Sequence, residues 1–155
     1  MTARQKPTPE QLTRYAEQFS ASLTLRHFGA RVSFPDAETV LITVDPVQPA
    51  LLGGMGMDAV NGGALAAVFD VAIGCTPALL DPSTRSATVQ LSMSFQRAVR
   101  GTRLTAKAKI VRAGDTLLFS EARIYDAQGV ECASCQGVLR LSRQKWASGV
   151  SPAVN

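Results

Sequence analysis

The stretch NGGALAAVFDVAIGCTPALL, residues 61–80, is an almost unbroken apolar run with a single charged side chain, Asp70, near its middle. A helix that is apolar around most of its circumference must be covered widely by other parts of the protein. A carboxylate at the centre of a bilayer would cost about 2.5–3.5 kcal/mol on insertion scales. We therefore interpret the run as the buried helix of a soluble domain, over about residues 62–78, and expect no membrane partner.

The segments on either side of this run alternate apolar and polar residues, which is typical of half-buried β-strands. Two such segments precede the run and four follow it, with turn signals between the last four at 100–101, 113–115 and 126–129. Tight turns predict that consecutive strands are antiparallel neighbours. On the first of the four, the alternation places on one face Val89, Leu91, Met93 and Phe95.

A further helix is predicted near the N-terminus, where Thr8, Pro9 and Gln11 form the capping-box pattern. Helical spacing assigns to its apolar face Leu12, Tyr15, Phe19 and Leu23. The predicted fold class is therefore α+β, an antiparallel sheet wrapped around a long central helix, with an additional N-terminal helix.

The composition is that of a globular protein of one domain. The chain has 155 residues, 46% of them hydrophobic, and a formal net charge of +4, which excludes global disorder. Three cysteines are too few for a disulfide scaffold, and the N-terminus lacks a signal-peptide pattern, so we expect a cytoplasmic protein. We divide the chain into an N-terminal helix with its lead-in (1–29), a single domain (30–141) and a flexible C-terminal tail (142–155).

Several common chemistries find no support in the sequence. His27 is the only histidine and has no nucleophile motif near it, which argues against His-dependent triads and against a zinc site. Cys132 and Cys135 lie in a predicted strand, where positions three apart point to opposite faces. No strand leads directly into Gly54 and Gly56, and the βαβ frame that a dinucleotide fingerprint requires is missing around them. We expect no metal and no redox cofactor.

Asp70 is the strongest candidate for chemistry. A carboxylate buried among apolar neighbours costs several kcal/mol unless it is hydrogen-bonded or protonated. Such a group has a finely balanced pKa, as a general base or a carboxylate nucleophile needs. The alternative is a helix residue that faces solvent or caps a neighbouring loop.

The start of the apolar helix is a second candidate. Asn61, Gly62 and Gly63 leave the first backbone N–H groups approachable, and the helix dipole favours negative charge there. These donors suit the oxyanion of an ester or thioester intermediate, although simple capping by Asn61 explains the pattern equally well. Asp70 lies nine residues after Asn61, about 13 Å along a helix axis. A site that combines both would borrow one from a second subunit, which predicts a dimer.

The chain between Asp81 and Asp115 is strongly basic. An electropositive face of the sheet would attract the phosphates of a ligand, whereas the alternative is an ordinary solvated surface. Nucleic acid is a weaker expectation, because aromatic stacking residues are few. The basic residues of this segment, which has no acidic one, are Arg85, Arg97, Arg100, Arg103, Lys107, Lys109 and Arg112.

Taken together, residues 61–64, Asp70, the strand 88–95 and the segment 101–104 resemble the hotdog-fold acyl-CoA thioesterases. The resemblance is closest to the PaaI-like and 4-hydroxybenzoyl-CoA thioesterase group and covers roughly residues 30–141. It implies a hotdog fold, pairing into dimers and often dimers of dimers, and active sites at the subunit interface. It also implies hydrolysis of a small or medium acyl- or aryl-CoA, with coenzyme A as part of the substrate and no further cofactor.

The resemblance assigns a role to each matching residue. Asp70 matches the catalytic carboxylate, Gly62 the residue whose N–H polarises the thioester carbonyl, and Thr88 a hydroxyl that orients the water or the carboxylate. Arg97 and Arg100 are assigned to the coenzyme A phosphates from their charge alone.

Two positions depart from the family pattern. Asn61 stands where the family usually has histidine, and Met55 stands where it often has an amide side chain. Asparagine can hydrogen-bond but cannot titrate, and methionine cannot support a carbonyl. These departures leave open a non-catalytic acyl-CoA-binding or sensing protein on the same fold.

Overall fold

The computed structural model describes residues 6–146. Short 3-10 turns occupy Pro49–Leu51 and Thr76–Leu79. The helices and strands of the described part are, in chain order, α1 (Pro9–Ser20), α2 (Leu23–Phe28), β1 (Ala30–Ser33), β2 (Val40–Val44), α3 (Gly62–Gly74), β3 (Thr84–Phe95), β4 (Leu104–Ala113), β5 (Leu117–Tyr125) and β6 (Glu131–Lys145).

The six strands form one antiparallel sheet in the order β1-β2-β4-β5-β6-β3. The sheet curls around α3, which packs against β2 to β6, while α1 packs against β1. This arrangement confirms the predicted α+β class, with its central helix and additional N-terminal helix, and it is the arrangement expected of the hotdog fold.

Helix α3 buries one side against the sheet. Gly137 on β6 allows this close approach, because a Cβ there would lie 2.6 Å from Cγ2 of Ile73. By length and composition alone the stretch Gly62–Leu79 could cross a membrane, and 56% of it is buried within the protein. The buried residues of α3 recur at helical spacing and are Leu65, Val68, Phe69, Ala72 and Ile73.

The prediction that β3 and β4 are neighbours is wrong. The segment between them does not form a hairpin, because it pairs with the chain before α3 instead: Val99 accepts the N–H of Val60 at 2.9 Å, and Thr102 accepts the N–H of Val47 at 2.7 Å. Strand β4 therefore pairs with β2 and β5, and β3 pairs with β6. Within the described chain, β3 is thus an edge strand of twelve residues.

The N-terminal helical segment is broken in two. The capping box at Thr8 is confirmed, since its side chain and that of Gln11 each bond the other's backbone N–H. Helix α1 stops at Ser20, and Ser22 caps α2 by accepting the N–H of Leu25 at 3.3 Å. The break rotates the apolar face: Leu23, predicted to lie on that face, is 72% exposed, and Leu25 is buried in its place.

Strand β6 continues to Lys145, beyond the predicted start of the tail at residue 142; residues 147–155 of that tail lie outside the described part. Lys145 Nζ donates to Asp81 Oδ2 at 2.6 Å and to Thr84 Oγ1 at 2.7 Å. Burial opposes ionisation of Asp81, but the hydrogen bonds from Lys145 and Ser83 outweigh it and lower the pKa of Asp81 to about 2. The end of β6 is thereby fixed beside the start of β3.

Asp81→Asn should lower the free energy of unfolding at neutral pH and have almost no effect near pH 2. Folding depresses the pKa of Asp81 below its ordinary 3.8, so its stabilisation is present above about pH 4 and is lost as the pH falls through the folded value. The side chains of Asp81 and Lys145 are 38% and 50% exposed. We therefore expect the free energy of unfolding to fall by only about 1 kcal/mol at pH 7. Chemical denaturation at both pH values measures this, with the exposed Glu38→Gln as control. An equal loss for Asp81→Asn at both pH values would contradict the assignment.

Candidate active site

Asp70 lies on the side of α3 that the sheet leaves uncovered. The sequence predicted a buried carboxylate, and this prediction is wrong for the single chain, in which Asp70 is exposed. The reason is geometric, because a sheet of six strands covers only one side of the helix. The opposite side carries, at helical spacing, Gly63, Ala66, Ala67, Asp70 and Gly74, none of which is fully buried.

Exposed as it is, Asp70 borders a partly open cavity. This cavity, called the Asp70 cavity below, has a volume of about 320 Å³ and lies among the α1–α2 segment, α3 and the first half of β3. Among the described residues that line it, Asp70 is the only carboxylate. Its walls include Tyr15, Phe19, Leu25, Asp70, Thr88 and Trp146.

A β-bulge brings Thr88 into this cavity. The pairing of β3 with β6 shifts between Thr88 and Gln90, so that Thr88 opposes the buried Leu139, and Leu91 opposes Gly137 below α3. The extra residue, Val89, is 57% exposed, which corrects the prediction that it shares a face with Leu91. Because the bulge changes the alternation of the strand, the Thr88 side chain joins Asp70 at the cavity.

The thiols nearest to Asp70 are not candidates for nucleophiles. Burial raises the pKa of Cys75 to about 12, with the Asp70 charge adding to the effect. Burial also raises the pKa of Cys135 to about 11, again with a contribution from Asp70. Both thiols stay protonated at neutral pH, and the thiolate is the reactive form of cysteine. The three cysteines of the chain are free.

The start of α3 is capped by Asn61, which is the simpler of the two interpretations that the sequence allowed. Asn61 precedes the helix, and its Oδ1 accepts the N–H of Gly63 at 2.7 Å. This bond occupies the N–H of Gly63, which was a predicted oxyanion donor. Gly62 is exposed, and a Cβ there would meet nothing within 4 Å. Gly62 is therefore the residue at this helix end that a substrate oxygen can approach.

One chain does not bring the two halves of the predicted site together. Gly62 and Asp70 are separated by about 12 Å along α3, and Gly62 does not line the Asp70 cavity. Neither do the predicted phosphate-binding residues: Arg97 follows the far end of β3, and Arg100 Nε donates to Asp58 Oδ1 at 2.9 Å. Acidic partners also offset part of the basic segment, since Lys109 pairs with Glu121 at 3.1 Å.

Sequence reasoning missed that three aromatic residues, Tyr15, Phe19 and Trp146, line the cavity. Tyr15 and Phe19 were assigned to a general apolar face of the N-terminal helix, and Trp146 was placed in the tail. The backbone N–H of Trp146 donates to the carbonyl of Ser83 at 2.9 Å, and the guanidinium of Arg85 lies 4.9 Å from the centroid of the Trp146 ring. The spacing of four between Tyr15 and Phe19 was the available signal, since such residues share a helix face.

Comparisons with known proteins agree on the fold. The model of the thioesterase superfamily matches residues 57–133. No curated protein matches the chain in sequence. The structure is similar to that of the Escherichia coli PaaI protein from the phenylacetic acid degradation operon, with 16% identity, a TM-score of 0.78, and coverage of 91% of this chain and 100% of that one.

Two further solved structures are similar. A thioesterase-family protein from Silicibacter pomeroyi has 23% identity and a TM-score of 0.73, with coverage of 84% of this chain and 97% of its own. A glutamine-to-alanine variant of a thioesterase from Pseudomonas aeruginosa has 18% identity and a TM-score of 0.70, with coverage of 89% and 96%. In all three cases the structural similarity extends over most of this chain and nearly all of the other.

Proposed function

Because the chain belongs to the hotdog-fold thioesterase superfamily, we propose that it hydrolyses small or medium acyl- or aryl-CoA thioesters with Asp70 as the catalytic carboxylate. The observation that carries the proposal is the position of Asp70 as the only carboxylate among the described residues lining a cavity whose walls combine hydroxyl-bearing and apolar side chains. Superfamily membership supports thioester hydrolysis in general. The coenzyme A ester, the role of Asp70 and a cytoplasmic location are parts of the proposal.

The proposed reaction needs three groups around the thioester carbonyl. Asp70 accepts a proton from water as the water oxygen bonds to the carbonyl carbon, or it attacks that carbon itself. The hydroxyl of Thr88, which lines the same cavity, orients the water or the carboxylate. A backbone N–H stabilises the negative charge that develops on the carbonyl oxygen. Collapse of the intermediate breaks the C–S bond, and the leaving thiolate takes up the proton held by Asp70 to give coenzyme A. Where Asp70 itself attacks, the thiolate leaves first and water then cleaves the acyl–Asp70 anhydride to regenerate the carboxylate. Neither route uses a metal or redox cofactor.

The oxyanion donor is proposed to come from a second copy of the chain. Among residues 6–146, no strand pairs with the outer edge of the twelve-residue strand β3, on which Val89 is 57% and Phe95 51% exposed. Such an edge invites pairing with another strand. Pairing of two β3 edges would extend the sheet and cover the open side of α3, which brings Gly62 of the partner subunit towards Asp70. The proposed assembly is a homodimer or a dimer of dimers.

A binding protein without turnover is the second candidate. The bond between Asn61 and the N–H of Gly63 removes one oxyanion donor. Met55, at the position of the family amide, is fully exposed on a loop with a φ of 61° and offers no hydrogen bond to a carbonyl.

Thiol release and calorimetry on the same acyl-CoA panel separate the two candidates. We expect the wild-type protein to release coenzyme A from at least one ester with a kcat of at least about 1 s⁻¹, at the lower end of common enzyme rates. Bovine serum albumin serves as the control for spontaneous and surface-promoted hydrolysis. Binding of the esters without thiol release would establish the second candidate and reject the first.

A further inference from the structure

We propose that the aromatic rings of α1, Tyr15 and Phe19, form the acyl-end wall of the Asp70 cavity and restrict the substrate to short, uncharged acyl groups. This inference rests on the proposed thioesterase function and adds the substrate class and the residues that set it. The two rings are stacked, with centroids 5.7 Å apart and planes 14° from parallel, and both line the cavity.

The wall is held in place from behind. The edge of the Phe34 ring meets Tyr15 at 5.9 Å, and the Tyr15 hydroxyl lies beside the buried thiol of Cys75 at the end of α3. Burial raises the pKa of Tyr15 well above its ordinary value, so the ring stays neutral. Ser20, at the end of α1, accepts the N–H of Val32 at 3.0 Å and so ties the helix to β1. These contacts make the wall a fixed boundary.

The chemistry of the walls selects the acyl group. Apart from Asp70, no charged side chain lines the cavity among residues 6–146. Among the lining residues, an acyl group with a terminal carboxylate would therefore meet the Asp70 charge and no cation; Arg85 lies over the Trp146 ring and is not part of the lining. The rest of the lining is uncharged. Tyr15, Phe19, Leu25, Val71 and Pro77 supply apolar surface, beside the hydroxyl groups of Ser22, Thr24, Thr84, Ser86 and Thr88. The volume of about 320 Å³ is near the lower end of the range for small-molecule pockets, which fits a short chain.

The test compares wild type with Phe19→Ala on acetyl-, butyryl-, hexanoyl-, octanoyl-, palmitoyl- and succinyl-CoA. We expect the kcat/KM of the wild type to fall as the acyl chain becomes longer. We also expect kcat/KM to be lower for succinyl-CoA than for butyryl-CoA. Removal of the Phe19 ring should raise the octanoyl-to-butyryl ratio of kcat/KM about tenfold, in line with what a change of a methylene or more in a pocket does to specificity. The succinyl-to-butyryl ratio should stay low, because no cation is introduced.

Leu12→Ala is the matched control, because Leu12 is a buried apolar residue of the same helix and does not line the cavity. Phe19→Leu, which keeps more of the packing, is measured beside Phe19→Ala so that a folding defect cannot decide the result. An equal change of the ratio in Leu12→Ala, or no change in either Phe19 variant, would overturn the inference. If the wild type hydrolyses none of these esters, the proposed function fails for aliphatic acyl-CoA substrates. Calorimetry then measures binding of the same esters to wild type and to Phe19→Ala, and so tests the role of the aromatic wall independently of hydrolysis.

Discussion

Asp70→Asn is expected to lower kcat for thioester hydrolysis by about 10²–10⁴-fold, the usual contribution of a positioned general base. Asparagine has nearly the shape of aspartate but can neither accept the proton of water nor act as a carboxylate nucleophile. Asp70 is exposed in the single chain and makes no ion pair among the described residues. The stability of the single-chain fold should therefore change by less than about 0.5 kcal/mol, and a loss of kcat in a correctly assembled variant would belong to the chemical step.

Thiol release at saturating substrate measures this effect, and calorimetry with a CoA ester checks that binding is retained. Glu38→Gln is the control, since it removes an exposed carboxylate from the turn between β1 and β2. Unchanged turnover in Asp70→Asn would remove Asp70 from the mechanism. Loss of binding together with turnover would mean that the carboxylate holds the substrate rather than activates water.

The environment of Asp70 shows where sequence reasoning reaches its limit. The apolar run predicted the helix, and the alternating segments predicted the sheet that covers it. A pattern of apolar residues does not say how much of a helix one chain can cover, because the remaining surface can be buried by another chain. Gly63, Ala66, Ala67 and Gly74 lie on the open side with Asp70, and small residues are compatible with both exposure and close packing.

The position of Thr88 shows a second limit. Strict alternation groups Val89 with Leu91, and only the pairing with β6 reveals that an extra residue intervenes. A bulge depends on the register between two strands distant in sequence, so the local pattern cannot contain it. The family resemblance assigned a role to Thr88, whereas the alternation of the strand would have pointed its side chain away from the helix.

The separation of β3 from β4 has a similar cause. Turn residues at Arg100 and Gly101 predict a reversal of the chain, and the chain does reverse there. What the turn residues do not encode is which strand the chain joins afterwards. Val99 and Thr102 form hydrogen bonds with the chain before α3, and β4 then lies in the interior of the sheet, between β2 and β5. That choice leaves β3 at the edge, where the second subunit is proposed to bind.

Gly62→Pro is expected to lower kcat by about 10²–10³-fold, the effect of removing one oxyanion donor. Proline lacks the backbone N–H but is well tolerated at the first position of a helix. Asn61, before it, has φ −62° and ψ 138°, a conformation that a following proline permits. Gly62→Ala keeps the N–H, and its Cβ meets nothing within 4 Å, so this control should stay within a few-fold of wild type. Equal activity of the proline and alanine variants would exclude the N–H of Gly62 from the reaction.

Combining Gly62→Pro with Asp70→Asn tests whether each site spans two subunits. If Asp70 of one subunit works with Gly62 of the other, a heterodimer of the two inactive variants contains one site with both native residues and one site with neither. Co-expression with two different affinity tags isolates this heterodimer, and about half of the wild-type activity per dimer should return. If both residues served a site within their own chain, every site of the heterodimer would carry one lesion and no activity would return. Recovery of activity would therefore place the oxyanion donor in the other subunit. This agrees with the separation of about 12 Å between Gly62 and Asp70 along the α3 of one chain.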